Sequence, residues 1–308
     1  MNNTIIAVFC YKRAAKLKKS MEALLKNPEC ASMDVIFFSD GYKGEKDREG
    51  VLATREYINN LSGFRNIYKE FRPNNFSTGP NFQQGLTYLA DNFEQFIVIE
   101  DDLVVSSNYI RFMLDALDFY RNEEDVFSIS GYCFPLKKSD YAYDSVMHTR
   151  FCCYGWASWN NRLTKVLWDE NALAKLFETS PGFKKRLDSE GMDLSRTLSK
   201  QISGEISTWD IQMQVQVSEN NLKVVYPVVS KTTNIGFDQE STNTFGIDYL
   251  KTSIDVSGKR FFNFCKANSS APDIQKQLKS PYSLPALATR KILNTVIKVA
   301  SQFKKTAM

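Results

Sequence analysis

From its amino end the chain alternates short, almost purely apolar runs with longer stretches whose apolar residues recur every three or four positions. "TIIAVFCY" is followed by "KRAAKLKKSMEALLKN", in which Ala14, Leu17, Met21, Leu24 and Leu25 share one helical face. "DVIFF" ends in Ser39, Asp40 and Gly41 and leads into the charged stretch "KDREGVLATREYINNL". "FRNIYKEF" reads as a third strand, "GPNFQQGLTYLADNF" as a helix, and "QFIVIEDD" as a fourth strand that closes on three acids. Strand and helix alternating four times predict an α/β domain with a mostly parallel sheet.

After the acids, "NYIRFMLDALDFYRN" predicts a helix capped by Ser106 or Ser107, and "VFSISGYCF" another strand. The pattern then loosens through the aromatic cluster "FCCYGWASWNNRL" and a charged helical middle from Trp168 to Gln201. It recovers in "STWDIQMQVQVSENN" and the strand "LKVVYPVVS". "NIGFDQESTNTFG" reads as a mobile polar loop. There is no internal repeat and no low-complexity linker.

At 308 residues the chain is near the upper limit for a single core, so one large domain or two fused lobes is expected. With 39 basic and 35 acidic residues the charge is too balanced to point to nucleic acid. Six cysteines without C-x-x-C spacing, and a lone histidine, His148, argue against a structural zinc site and for reduced thiols. No basic segment precedes the first apolar run, so neither a signal peptide nor an anchor is read there, and no segment has the length of a membrane span.

In open parallel sheets ligands bind beyond the carboxyl ends of the strands. That draws attention to Tyr11-Lys12-Arg13, to Asp40, and to Glu100, Asp101 and Asp102. Adjacent carboxylates raise one another's pKa unless a positive charge lies among them. A divalent cation, sharing one or two carboxylates with diphosphate oxygens and water, would supply it. The plainer reading is that these acids favour the dipole of the next helix.

The ordered set "IAVFCYKR", "FFSDG", "FIVIEDDLVVSSNYIRFM", "CYGWASW", "STWDIQM" and "YPVVSKTTNIGF" resembles the inverting GT-A glycosyltransferases of the N-acetylglucosaminyltransferase I type, over roughly residues 5–240. The resemblance implies a GT-A fold, a Rossmann-like mixed and mostly parallel sheet flanked by helices, as one large domain with a C-terminal helical tail. Residues 1–110 would be the nucleotide-sugar half, 111–280 the acceptor-binding and catalytic half, and 281–308 the tail. It implies Arg13 on the diphosphate, Asp40 on uracil, Glu100 on the donor sugar, Asp101 on the ribose and Asp102 on Mn2+ or Mg2+. Asp210 would be the general base, with Trp209 shaping the sugar pocket and Gly155 and Trp156 lining it. The partners implied are a UDP-sugar, of the N-acetylhexosamine class, and a lipid-linked or oligosaccharide acceptor, with no nucleic acid.

Two features depart from that family: the absence of a recognisable N-terminal anchor and the charged insert from Trp168 to Gln201. The first points to a bacterial cytoplasmic enzyme of lipopolysaccharide, capsule or O-antigen synthesis, on the inner face of the plasma membrane. The second leaves the acceptor open. Rival readings are a nucleotidyltransferase acting on sugar phosphates, for which the basic "CYKRAAKLKK" lacks glycine, and a non-catalytic glycan-binding protein of the same fold.

Plainer readings stand beside several of these residues. Asp210 serves equally as a helix cap. Trp156 and Trp159, three apart, also fit a core stripe. His148, Cys152 and Cys153 read as packing residues. In the tail, Ile292, Leu293, Val296, Ile297, Ala300 and Phe303 share a face, with Arg290, Lys291, Lys298, Lys304 and Lys305 adding positive charge. Such a helix, over 284–305, can lie on an anionic membrane or pack on the domain.

Overall fold

The computed structural model describes residues 4–137, 140–237 and 251–306; the loop expected at 234–246 lies outside them from residue 238 onward. The first half runs β1 (Thr4–Cys10), α1 (Ala14–Leu24), β2 (Asp34–Ser39), α2 (Glu45–Asn59), β3 (Asn66–Phe71), α3 (Thr78–Asn92) and β4 (Gln95–Glu100). A short strand, β5 (Leu103–Val105), precedes α4 (Tyr109–Phe119) and β6 (Val126–Ser130). Next come β7 (Ser145–His148), β8 (Trp156–Trp159), α5 (Asn160–Leu163), α6 (Glu170–Thr179), α7 (Phe183–Asp188) and α8 (Leu194–Ile202). The remainder is α9 (Asp210–Glu219), β9 (Lys223–Pro227), β10 (Thr232–Asn234), α10 (Pro272–Lys279) and α11 (Leu284–Thr306).

Eight strands form one sheet in the order β3-β2-β1-β4-β8-β6-β9-β7. β3, β2, β1 and β4 are mutually parallel, β6 and β9 are parallel, and β8 runs antiparallel between β4 and β6. β7 closes the far edge, antiparallel to β9. The mixed, mostly parallel α/β sheet flanked by helices is therefore the architecture expected from the sequence, with strands drawn from residue 4 through to residue 227.

Both faces of the sheet are covered, which is why the first strands read as unbroken apolar runs rather than alternating ones. Along β1, Ile6, Val8 and Cys10 face the helices that carry Leu17, Met21 and Met113, while Ile5, Ala7 and Phe9 face Phe82, Leu86 and Met213. The insert builds a smaller core of its own: Leu173, Phe183, Leu187, Leu194 and Leu198 close on Ile211 and Val215 of α9.

Two local expectations are corrected. α4 starts at Tyr109 with Asn108 before it, not at Ser106 or Ser107, and the Asn108 amide donates to Asp255 and to the Lys259 carbonyl rather than serving as a cap. Trp156 and Trp159 lie on a strand, where residues three apart face opposite sides, so they join two different clusters rather than one stripe. The core reading of both is right: they are 0% and 4% exposed.

His148, Cys152 and Cys153 are packing residues in the broad sense; His148 is buried beside Tyr226, and burial holds its imidazole down to about 3, neutral at physiological pH. All six cysteines are free thiols. The tail is helical, and among the described residues no helix is long and apolar enough to cross a membrane.

Candidate active site

The carboxyl ends of β1, β2 and β4 meet at one crevice, tied together by backbone bonds from Asp40 N–H to the Cys10 carbonyl and from Asp101 N–H to the Phe9 carbonyl, each 3.1 Å. Parallel pairing in register is what brings Arg13, Asp40 and the acid triplet, distant in sequence, to one rim. A cavity of about 450 Å³ opens there. Lys12, Lys43 and Lys46 line it together with Asp40, Glu100, Asp101 and Asp47, the last paired with Lys12 at 2.6 Å. The start of α3, through Thr78 and Asn81, completes the wall.

Arg13 is the hub of the acids. Its guanidinium pairs with Asp101 and lies 2.9 Å from Asp102. Burial opposes its charge, yet the carboxylates of Asp101 and Asp102 hold it more firmly protonated than usual. The positive charge among the acids thus comes from the chain itself.

Asp101 also accepts the Tyr11 N–H at 3.2 Å and is only 2% exposed. Both its oxygens accept bonds from the protein, so it ties Arg13 to the end of β1. Burial pushes Asp101 up to about 6 against the pull of Arg13. Glu100 is raised well above the carboxylate range by burial and then by Asp102 and Asp101, with Asp210 adding to the effect. One arginine does not balance this many acids.

Asp102 is 8% exposed and is covered on its far side by residues 234–236. The Asn234 amide is 3.4 Å from its Oδ1, and the Ile235 N–H donates to its carbonyl at 2.8 Å. A Cβ on Gly236 would stand 2.1 Å from Asp102 Oδ2, so only glycine fits there. As for Mn2+ or Mg2+, no group of three histidine, cysteine or acid side chains forms a cage among the described residues. The donor chemistry still fits a hard cation: Asp102 and Glu100 are carboxylates in a charge-deficient cluster, and such ions take their remaining oxygens from diphosphate and water.

Asp40 is buried and organises the crevice. Its carboxylate accepts the N–H groups of Gly41 and Phe76 at 2.9 and 2.8 Å and the Asn75 amide at 3.0 Å. Burial raises its pKa despite these bonds. They pin the turn that ends at Ser77, which has φ 67° and ψ 166°, a conformation nearly confined to glycine. Backbone strain of this kind clusters at ligand sites, and the sequence carries no signal for it.

Asp210 is the first residue of α9 and accepts a short hydrogen bond from the Thr208 hydroxyl. The turn before it is held by Gln201 of α8, whose side-chain oxygen accepts the Thr208 N–H at 2.8 Å. It is also pressed onto α3: a Cβ on Gly79 would lie 2.7 Å from Ser207 Oγ. Trp209 is 3% exposed and stacks on Phe82 at 4.3 Å, which stacks on Phe9 at 4.0 Å. Trp156 continues the pile at 5.9 Å from Trp209. Both tryptophans are buried in this pile. Together they form an aromatic pile that fixes Asp210 against the end of β1. Gly155, at φ 70°, lies against Tyr109 and Thr232 under the same region.

No family model matches the chain, and no curated protein does. Among solved structures the chain is similar to S. aureus TarS, with 10% identity and a TM-score of 0.40 over 74% of this chain and 37% of that one. It is also similar to TarS 1–349 in complex with UDP-GlcNAc, with 10% identity and a TM-score of 0.41 over 80% of this chain and 62% of that one. The Pyrobaculum calidifontis mannosyltransferase PcManGT, in complex with GDP-Man and Mn2+, is 9% identical with a TM-score of 0.39, over 71% of this chain and 69% of that one. The Anaerococcus prevotii 4-diphosphocytidyl-2C-methyl-D-erythritol synthase is 11% identical with a TM-score of 0.39, over 78% and 95%. The chain thus spans little more than a third of TarS. Likenesses this distant do not reach the chemistry, which rests on the side chains above.

Proposed function

We propose that the chain is an inverting glycosyltransferase that moves a sugar, of the N-acetylhexosamine class, from a UDP-sugar to a hydroxyl of a glycan. The observation that carries this reading is the crevice at the strand ends. It gathers lysines and carboxylates around one cavity of about 450 Å³, and Asp210 stands close enough to Glu100 for its charge to raise that residue's pKa.

Lys12, Lys43, Lys46 and the amino end of α3 suit the diphosphate, and Asp40 suits the imide N–H of uracil. Glu100 would accept hydrogen bonds from donor-sugar hydroxyls. Asp102, with Glu100 beside it, would hold Mn2+ or Mg2+, and that ion when bound would neutralise charge on the departing diphosphate. Asp210 takes the acceptor hydroxyl proton as that oxygen bonds to the anomeric carbon. The bond from that carbon to the phosphate oxygen breaks with its electron pair leaving on UDP, so no enzyme-bound sugar is needed.

The tail suits a lipid-linked acceptor in surface-polysaccharide synthesis. Leu284 and Ile292 of α11 are 60% and 64% exposed, Arg290 and Lys291 lie beside them, and no acid follows Asp273. This charge pattern complements an anionic membrane face.

UDP release from UDP-N-acetylglucosamine with Mn2+, with and without glycan acceptors, tests the reading. Asp210→Asn should lower transfer by about 10²–10⁴-fold while leaving UDP affinity in place. A chain that turns over no nucleotide sugar, or an Asp210→Asn variant with full activity, would end the proposal. Product formation from a nucleoside triphosphate and a sugar phosphate would replace it with nucleotidyl transfer.

A further inference from the structure

A second cavity, of about 240 Å³, is lined by Asp210 and shares no lining residue with the lysine-bearing crevice. Its walls come from outside the nucleotide-binding half. Arg150 and Tyr154 come from the segment between β7 and β8, Asp193 and Thr197 from the insert, and Tyr282 from the turn between α10 and α11. We infer that this cavity is the acceptor subsite, and that it takes one neutral sugar ring in preference to an anionic one. The inference rests on the glycosyltransferase reading above and names the substrate class for it.

Position is the first argument. Asp210 lines this cavity, and the carboxylates of Glu100 and Asp210 both act on the Cys153 thiol, which lines the cavity beside it. A hydroxyl bound here therefore meets the candidate base, and none of the lysines of the crevice lines this cavity. An inverting displacement needs an acceptor oxygen that reaches the base apart from the departing diphosphate.

Charge is the second argument. Arg150 is the one lysine or arginine among the residues lining the cavity, and it is already matched. Its two terminal nitrogens fork onto Asp193 at 3.0 and 2.8 Å, and its plane lies 3.5 Å from the centre of the Tyr282 ring. With Arg150 cancelled by Asp193, the carboxylate of Asp210 leaves the cavity negative. A phosphate or uronate on the bound sugar would meet the net charge of Asp210 and no spare cation, whereas a hydroxyl finds an acceptor there.

Size and surface are the third. Ligand pockets for drug-sized molecules span about 300–1,000 Å³, so this smaller space suits a single ring. Tyr154, in the cavity wall, supplies an aromatic surface of the kind that packs against the C–H face of a pyranose. The insert that departs from the resembling family thereby acquires a role, since it carries the wall that chooses the acceptor.

Saturation-transfer NMR with methyl glycosides of glucose, galactose and N-acetylglucosamine, against methyl glucuronide, tests this on the full chain. The neutral glycosides should receive saturation and the glucuronide none. The signal should be lost in Thr197→Trp, which fills the cavity, and weakened in Tyr282→Ala, which removes a wall. Melting curves confirm that each variant is folded, and if one is not, the other decides. Equal signals in wild type and folded variants, no saturation of any neutral glycoside, or preference for the glucuronide would overturn the inference. UDP release from UDP-N-acetylglucosamine, read on the same samples, separates the two ideas. Turnover without cavity-dependent glycoside binding refutes the subsite and keeps the enzyme, whereas cavity-dependent binding without turnover of any nucleotide sugar keeps the sugar site and refutes the enzyme.

Discussion

Two buried ionic clusters in this molecule solve the same problem differently. Lys231 and Asp255 form a closed pair, 4% and 8% exposed. The Asn108 amide and the Ser257 N–H complete the carboxylate at 3.0 and 2.8 Å, and the rings of Phe112 and Phe262 flank the ammonium at 5.4 and 5.0 Å. Burial works against the Asp255 charge, but Lys231 and these hydrogen bonds hold it far below the ordinary carboxylate range. The cluster around Arg13 is open: one guanidinium serves Asp101 and Asp102, with Glu100 in its field and Asp210 acting on Glu100. A structural lock is balanced within the chain, whereas a binding site is left short of positive charge that a ligand can bring.

The largest effect should come from opening the lock. Lys231→Met leaves a buried carboxylate without its cation and should destabilise the fold by roughly 3–5 kcal/mol, read by urea denaturation. A loss below about 1 kcal/mol, the worth of an exposed pair, would erase the distinction between the clusters.

A smaller effect of opposite sign is expected from Glu100→Gln at the open cluster. The folded chain keeps the Glu100 proton to higher pH than the unfolded chain does, so ionising it costs stability. That cost is absent below the ordinary glutamate value, about 4.3, and is reached as pH rises through the raised folded value. The variant should therefore melt higher than wild type at pH 7.5, with the gap closing by pH 4. A gap of the same size at both pH values would show that the charge is not its source.

The smallest effect concerns the backbone. Beside the lock the left-handed position is taken by Gly258, at φ 65°, while at the site Ser77 occupies φ 67°. Ser77→Gly should relieve that strain for a net gain of roughly 1 kcal/mol, visible as a higher urea midpoint. A lower midpoint would mean that the serine side chain contributes more than its backbone costs.

Much of the first half was legible in the sequence because its strands are buried on both faces, which leaves unbroken apolar runs ending in polar residues. The crevice residues Arg13, Asp40 and Glu100 followed from that rule. What was hidden depended on partners far along the chain. Arg13 meets Asp101 across 88 positions, so the cation among the acids could not be read from the triplet alone. β5 is three residues long and exists through its pairing with β10, more than 120 positions away. Trp209 and Trp156 drew attention as sugar-binding aromatics, yet the pile from Phe9 through Phe82 buries them. The strain at Ser77 has no compositional trace. The insert was visible as a charged helical stretch, but nothing in its pattern announced that Gln201 holds the turn before Asp210.

The antiparallel strand between β4 and β6 has a consequence for how the protein is made. β4 gains its second neighbour only when residues 156–159 are in place, so the parallel sheet of residues 4–100 leaves the ribosome with an open edge. For more than fifty further residues of synthesis, that edge is a row of unpaired N–H and C=O groups able to recruit a strand from another chain. The strand that joins the two halves in the finished molecule is thus also the cover whose late arrival sets the period of greatest risk during its birth.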